Sequence, residues 1–372
     1  MKILCDKQTL LGAVNNVSRA VLGNKAILPA LEGILMRANH NSLFLAGYNS
    51  EMAITTTIEV GVSEPGDIVL PSKLFNDIVR KLPGDTVELT VDERLAVNVR
   101  SGSSDFHIMG ISATEYPEIP TVTDATGVLL PQDTLHNMIR QTIFAVSSTD
   151  ERPVHKGILF DMNGGTLNLV AVDGSRLALR SESINNTDSM HFVVPGRTLQ
   201  EVMRLLTPDD GGMISLSVGR RHIIMEINGY AVISKLLDGE FLPYQRAIPQ
   251  TTATTVIINT REFIDAVDRA SLIINDRLKS PIICRLEENA VTVMCNTPMG
   301  RAMDVVLASI VGPGEEMGFN SQYLLDALKN TESDEVKLEI NGALSPLKIV
   351  PVAGNAFLFL VMPVRMKRFE QQ

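Results

Sequence analysis

The residues that could do chemistry in this chain are few and badly placed for it. Two pairs of adjacent carboxylates stand out, Asp209-Asp210 and Glu315-Glu316. General acid–base work needs two carboxyl groups held in different environments. Neighbours in a glycine-flanked loop share one environment, so both pairs read as turns. The six histidines are dispersed. No phosphate-binding loop, no Gly-x-Ser-x-Gly elbow and no His-Glu-x-x-His helix occurs. The three cysteines, Cys5, Cys284 and Cys295, lack metal-ligand spacing and are odd in number, which predicts reduced, buried thiols of a cytosolic protein. The expectation is therefore no catalytic residue, no metal and no cofactor.

What remains is charge. The net charge is −10, which argues against indiscriminate binding to polyanions. Its distribution is uneven. The six stretches with helical periodicity sum to +4, which leaves −14 on everything else. Cations carried on helices suit contact with a phosphate backbone.

Those helices have to be positioned, and the pattern that does it repeats. In 70–91, Phe75, Ile78, Val79 and Leu82 make an amphipathic stripe. Ser72 is the expected N-cap, and Pro83-Gly84-Asp85 the stop. Val87, Leu89 and Val91 then alternate as a strand. A second copy opens at Val194-Pro195-Gly196-Arg197 and a third at Asn320-Ser321-Gln322-Tyr323; Pro71 and Pro195 stand 124 residues apart, Ser72 and Ser321 249. A second set of helices is predicted over 7–21, 132–146 and 261–274, each after a short strand. The chain is thus one module used three times, expected as 1–124, 125–252 and 253–372. Each reads β-α-β-β-β-α-β-β-β: an α+β fold with two helices on two small antiparallel sheets. The first module has no predecessor and the third no successor, so their sheet edges need cover; pairing with a second copy would close a ring. No apolar run approaches the length of a membrane span, and 1–4 enters a strand pattern directly, without a signal peptide.

The chain resembles the bacterial DNA sliding clamp family, the beta subunit of the replicative DNA polymerase. The resemblance covers essentially all of it. It rests on the threefold repeat, Asp173-Gly174-Ser175-Arg176-Leu177-Ala178, Phe241-Leu242-Pro243-Tyr244 with Arg246, Asn320-Ser321-Gln322-Tyr323-Leu324-Leu325, and Val361-Met362-Pro363-Val364-Arg365. It implies a homodimer closed into a six-domain ring around double-stranded DNA, held without regard to sequence. That ring would tether the replicative polymerase, the clamp loader and other polymerases and repair proteins.

The resemblance also implies sites. The partner-peptide set is Val172, Gly174, Ser175, Arg176, Leu177, Leu242, Pro243, Arg246, Asn320, Tyr323, Leu344, Pro346, Leu360, Met362, Pro363, Val364 and Arg365. It is mostly apolar with a few cations, the composition of a peptide groove. Three residues depart from the family pattern there: Val172, Ser175 and His155. The tail 366–372 runs past the family's usual end. The DNA set is Arg19, Asn24, Lys25, Lys73, Arg80, Thr149, Arg197 and Arg204, and the dimer set is Phe106 and Ile108 against Leu272 and Ile273. The competing readings are a hydrolase or transferase with carboxylates in an inter-module cleft, and a repeat scaffold unrelated to DNA.

Overall fold

In a computed structural model, the described residues are 1–23, 28–123, 125–149, 152–274 and 280–366. The first third runs β1 (Lys2–Asp6), α1 (Lys7–Val17), β2 (Gly33–Asn39), β3 (Ser42–Tyr48), β4 (Met52–Glu59), β5 (Gly61–Glu64), β6 (Gly66–Pro71), α2 (Ser72–Lys81), β7 (Thr86–Val91), β8 (Ala96–Ser101) and β9 (Ser104–Met109). The second runs β10 (Thr126–Pro131), α3 (Gln132–Ile143), β11 (Gly157–Asn163), β12 (Thr166–Val172), β13 (Arg176–Ser183), β14 (Met190–Pro195), α4 (Gly196–Leu205), β15 (Met213–Val218), β16 (His222–Ile227) and β17 (Tyr230–Lys235). The third runs β18 (Thr254–Asn259), α5 (Thr260–Ser271), β19 (Ile282–Glu287), β20 (Ala290–Thr297), β21 (Gly300–Val311), β22 (Glu316–Phe319), α6 (Ser321–Lys329), β23 (Glu335–Ile340), β24 (Leu347–Pro351) and β25 (Phe357–Val361).

The strands form two compact units. One comprises residues 1–133 and 197–236. It holds a sheet ordered β5-β1-β7-β8-β9 and a second ordered β10-β15-β16-β17-β4-β3-β2-β6. The α1 stripe, Leu10, Ala13, Val14 and Val17, is fully buried. Asp6 caps that helix by accepting from the Thr9 backbone N–H at 2.7 Å, and that bond holds its carboxyl below the usual carboxylate range. β3 approaches the end of α1 so closely that only glycine fits: a Cβ on Gly47 would sit 2.0 Å from the Val17 carbonyl oxygen.

The other unit comprises residues 134–196 and 237–372, with one sheet ordered β14-β11-β12-β13-β25-β24-β23-β18-β21-β20-β19-β22. Asn259 and Asn320 cap α5 and α6 through their side-chain oxygens. Thr142, an odd member of the α3 stripe, is buried because its hydroxyl donates to the Met138 carbonyl at 2.7 Å.

The structure corrects four expectations. At least four strands, not three, separate the two helices of each third. The sheets are not confined to modules: β17 continues onto β4 and β13 onto β25 through full antiparallel ladders. Pro71 takes the N-cap position of α2 and makes no side-chain cap bond, while Ser72 lies inside the helix and is buried. Finally, α1 stops at Val17, and a short 3₁₀ turn carries the chain through Ala20. Among the described residues no helix is long and apolar enough to cross a membrane.

Candidate functional site

The clearest site lies in the second unit, at the turn between β12 and β13. The Asp173 carboxylate accepts from the backbone N–H of Ser175 at 3.0 Å and of Arg176 at 3.1 Å. Gly174 sits at φ +84°, a left-handed conformation suited to glycine. The Ser175 carbonyl then accepts from the Met362 N–H at 2.8 Å. Leu177 faces Leu360 across the β13–β25 ladder. In the β24–β25 ladder Leu347 faces Val361, which carries Pro346 to the level of Met362.

Val172, Leu177 and Leu360 form a buried cluster with Val154, Leu159 and Tyr244, and Leu242 and Phe241 pack against it. Val172, Leu177 and Leu360, which the resemblance assigns to the peptide site, are buried because the ladder turns them into the core. The apolar surface open to a ligand comes instead from Leu344 and Met362, 78% and 41% exposed, and from Val364.

Arg176 was expected as an orienting contact for a ligand. Its side chain is 11% exposed and already engaged. It binds Asp173 at 2.8 Å and Asp326 of α6, and its guanidinium stacks 4.5 Å from the Tyr323 ring centroid and 5.7 Å from that of Phe144. Arg176 is thus a strut joining the turn to α6. Asn320 caps that same helix. Arg246 and Arg365 are exposed, and among the described residues neither forms an ion pair. Pro243 is exposed at the head of a short 3₁₀ turn. Pro363 lies in the strap that leads to Val364, whose N–H donates to the Gly318 carbonyl at 2.8 Å.

Sequence reasoning missed Phe241 and Tyr244 as site residues, although both stand in a stretch it singled out. Tyr244 donates to Asp161 at 2.7 Å. Burial, with that carboxylate beside it, pushes the phenol well above its ordinary value. Phe241 meets His155 edge-on, ring centroids 5.8 Å apart, and the His155 carbonyl accepts from Ser147 N–H. The histidine is therefore a core residue.

The expected DNA contacts divide. Lys73 and Arg197 are exposed, with no ion pair among the described residues. Arg80 pairs with Asp77 at 3.6 Å. Arg19 and Arg204 share one carboxylate, Glu201, at 4.0 and 3.4 Å; the Arg204 side chain stays largely exposed and that of Arg19 is partly buried. Thr149 is exposed. Asn24 and Lys25 lie outside the described residues, as does the tail after Met366.

The expected dimer contacts fall beside unpaired strand edges. β9 is the last strand of its sheet. Phe106 and Ile108 pair with the buried Val99 and Val97, so they lie on the core side of an edge that stops short. Leu272 is 84% exposed just past α5, with Ile273 beside it. A second half-free edge was missed. Residues 300–307 of β21 pair with β20 alone, and only 308–311 go on to pair with β18. Met303, Val305 and Leu307 stand exposed along it. Their period-two spacing was the available signal.

The carboxylate pairs serve structure. Asp209 and Asp210 lie in a 3₁₀ turn closed by Gly211 at φ +64°. Glu316 pairs with Arg285 at 2.6 Å. Among the described residues no three of His, Cys, Asp or Glu gather as metal ligands would. The three cysteines are free and buried, and burial raises the Cys5 and Cys284 thiols to about 12.

These features define a class: a repeat protein whose modules join edge to edge, with a buried cluster around Leu177 and Leu360 and exposed apolar side chains at Leu344, Met362 and Val364. Known proteins narrow it. Profiles of the N-terminal, central and C-terminal domains of the DNA polymerase III beta subunit match residues 1–120, 129–243 and 245–365. The beta sliding clamp of Bacillus subtilis is 31% identical over 98% of this chain and all of its own length. Its solved structure superimposes with a TM-score of 0.95 over 99% of this chain and 100% of that one. A sliding clamp from Pseudomonas aeruginosa, bound to griselimycin, is 27% identical, with a TM-score of 0.93 over 98% of this chain and 100% of its own. The chain belongs to the DNA polymerase III beta subunit family, the bacterial beta sliding clamps, and has the processivity role of that family.

Proposed function

We propose that two copies of this chain close into a ring around duplex DNA and tether the replicative polymerase and other DNA-processing proteins to it. The observation that carries this reading is the pair of unfinished edges, β9 and the 300–307 half of β21. Each presents unpaired backbone groups beside exposed apolar side chains, and an edge left bare is an aggregation liability. Pairing β9 of one copy with β21 of the other covers both and repeats the β17–β4 and β13–β25 junctions already made within the chain. Phe106, Ile108, Leu272 and Ile273 then pack at the joint with Met303, Val305 and Leu307.

Three modules, 1–124, 125–252 and 253–372, make up each copy; the spacing of the three matched domain profiles supports those boundaries. Lys73, Arg80, Arg197 and the helix-borne cations around them contact phosphates without reading sequence. Closure supplies retention, so individual contacts stay weak and permit sliding. Polymerase and clamp loader dock by a short peptide laid against Leu344, Pro346 and Met362 over the Leu177–Leu360 floor. The Pseudomonas clamp's ligand complex supports a binding role for this fold. The protein is a non-enzymatic tether working in the cytoplasm.

The test is retention on DNA. Protein loaded on nicked circular plasmid stays in the excluded volume of a gel-filtration column and is lost once the plasmid is linearised. Equal retention on both forms rules the ring out.

A further inference from the structure

We propose a second phosphate-contacting site, off the helices, at the turn between β15 and β16. This rests on the reading that the protein takes duplex DNA. The turn carries Arg220 and Arg221 side by side, both exposed, followed by His222. Among the described residues neither arginine has a carboxylate partner, in a chain whose net charge is −10.

The turn is held rigidly. Gly219 N–H donates to the His222 carbonyl at 2.9 Å, and Leu236 N–H to the Arg221 carbonyl at 2.8 Å. The inter-module linker is pressed onto it, since a Cβ on Gly219 would lie 2.5 Å from Val122. Between linker and turn is a cavity of about 270 Å³, lined by the two arginines, His222, Thr121 and Thr123. Guanidinium and hydroxyl donors round a small open hollow suit a phosphate group.

The same end of the sheet gathers more positive charge. Lys235 is exposed and stands opposite His222 in the β16–β17 ladder. Its backbone N–H donates to the Glu51 carbonyl, with no ion pair between the two side chains. One residue earlier, Ser234 meets Thr198 of the first turn of α4, hydroxyl to hydroxyl at 2.8 Å. Lys235 and His222 therefore share the face turned away from that helix, the alternate face of the strand. Turn and strand end thus offer the exposed cations Arg220, Arg221 and Lys235 at one end of the sheet. A run of phosphodiesters can engage all three cations, where a single small anion occupies the hollow alone.

The experiment uses the whole dimeric protein and a short fluorescent duplex, with anisotropy followed from 50 to 200 mM salt. R220A/R221A removes the side chains and keeps every backbone bond of the turn. Each lost phosphate contact makes the log–log salt slope shallower by about 0.9, so the double variant should lose about 1.8. Over that fourfold salt range the wild type then weakens about twelvefold more than the variant. K73A/R80A, on α2, is the control for the underlying reading. A wild-type slope in R220A/R221A beside a shallower one in K73A/R80A overturns the turn site and leaves the DNA reading standing. Slopes unchanged in both variants overturn the two together. Inorganic phosphate titrated calorimetrically separates the remaining source: saturable binding lost in R220A/R221A, with no change in duplex slope, makes the hollow a small-anion site and refutes the DNA contact.

Discussion

Replacing Arg176 by alanine should loosen the groove and the second unit together. The guanidinium holds Asp173 at 2.8 Å and Asp326 besides, over the Tyr323 ring. The three charged side chains are 11%, 11% and 24% exposed, so their attraction is weakly screened. Removing one partner of a buried pair costs about 3–5 kcal/mol, because the other charge stays buried and unpaired. Here one flank is open to solvent, and about 3 kcal/mol is expected. For a unit of this size that lowers the melting temperature by about 6–12 °C. Differential scanning fluorimetry measures it. The strut also predicts non-additivity: Asp326→Ala should cost much less in the Arg176→Ala background than alone, by about 1 kcal/mol or more. Peptide affinity should fall in Arg176→Ala and in Asp326→Ala alike, although Asp326 does not border the groove. A melting shift below about 2 °C, or strictly additive effects, would refute the reasoning.

Met362→Ala removes a half-exposed anchor, and should weaken a polymerase-derived peptide by about thirtyfold, read by calorimetry, while sedimentation still shows the dimer. Leu307→Glu places a charge on the 75% exposed half-edge of β21 and should yield a folded monomer at micromolar concentration; an intact dimer in the ultracentrifuge would move the joint elsewhere. Glu339 should contribute stability only above acid pH. Burial alone would raise its carboxyl, but Lys348 at 2.8 Å and Lys337 at 3.3 Å bring it below its ordinary value. A depressed carboxyl stabilises above the unfolded value of 4.5, and loses that contribution as pH falls through the folded one. The melting difference between wild type and Glu339→Gln should therefore be largest near neutrality and close as pH drops below 4.5.

The helices were legible because their information is local. Phe75, Ile78 and Val79 announce α2 within one turn of each other, and Asn320 announces α6 by its side-chain cap. The junctions were not, because pairing β17 with β4 joins residues far apart in the chain through backbone groups that every sequence has. Leu177 and Leu344 carry the same side chain, yet one is buried and the other exposed. The difference is set by the β13–β25 ladder and the turn before β24. Arg176 looked like a surface cation since its partner Asp326 lies 150 residues away. The half-free edge of β21 escaped notice because Met303, Val305 and Leu307 show apolar side chains to solvent, a pattern that in sequence alone reads as a loop or a core segment.

The continuity of sheets across module boundaries has a thermodynamic consequence. The β17–β4 and β13–β25 junctions join parts of one chain, so their effective concentration is on the order of millimolar, whatever the amount of protein in solution. In the proposed dimer the β9 and β21 edges would meet only at the concentration of free protein. Two seams built alike, from backbone ladders and apolar flanks, therefore answer differently to dilution. The tethered seams hold until the unit unfolds, and the proposed untethered joint would part first. Where the assembly opens is decided by which edges the chain connects, before any difference in the strength of the contacts themselves.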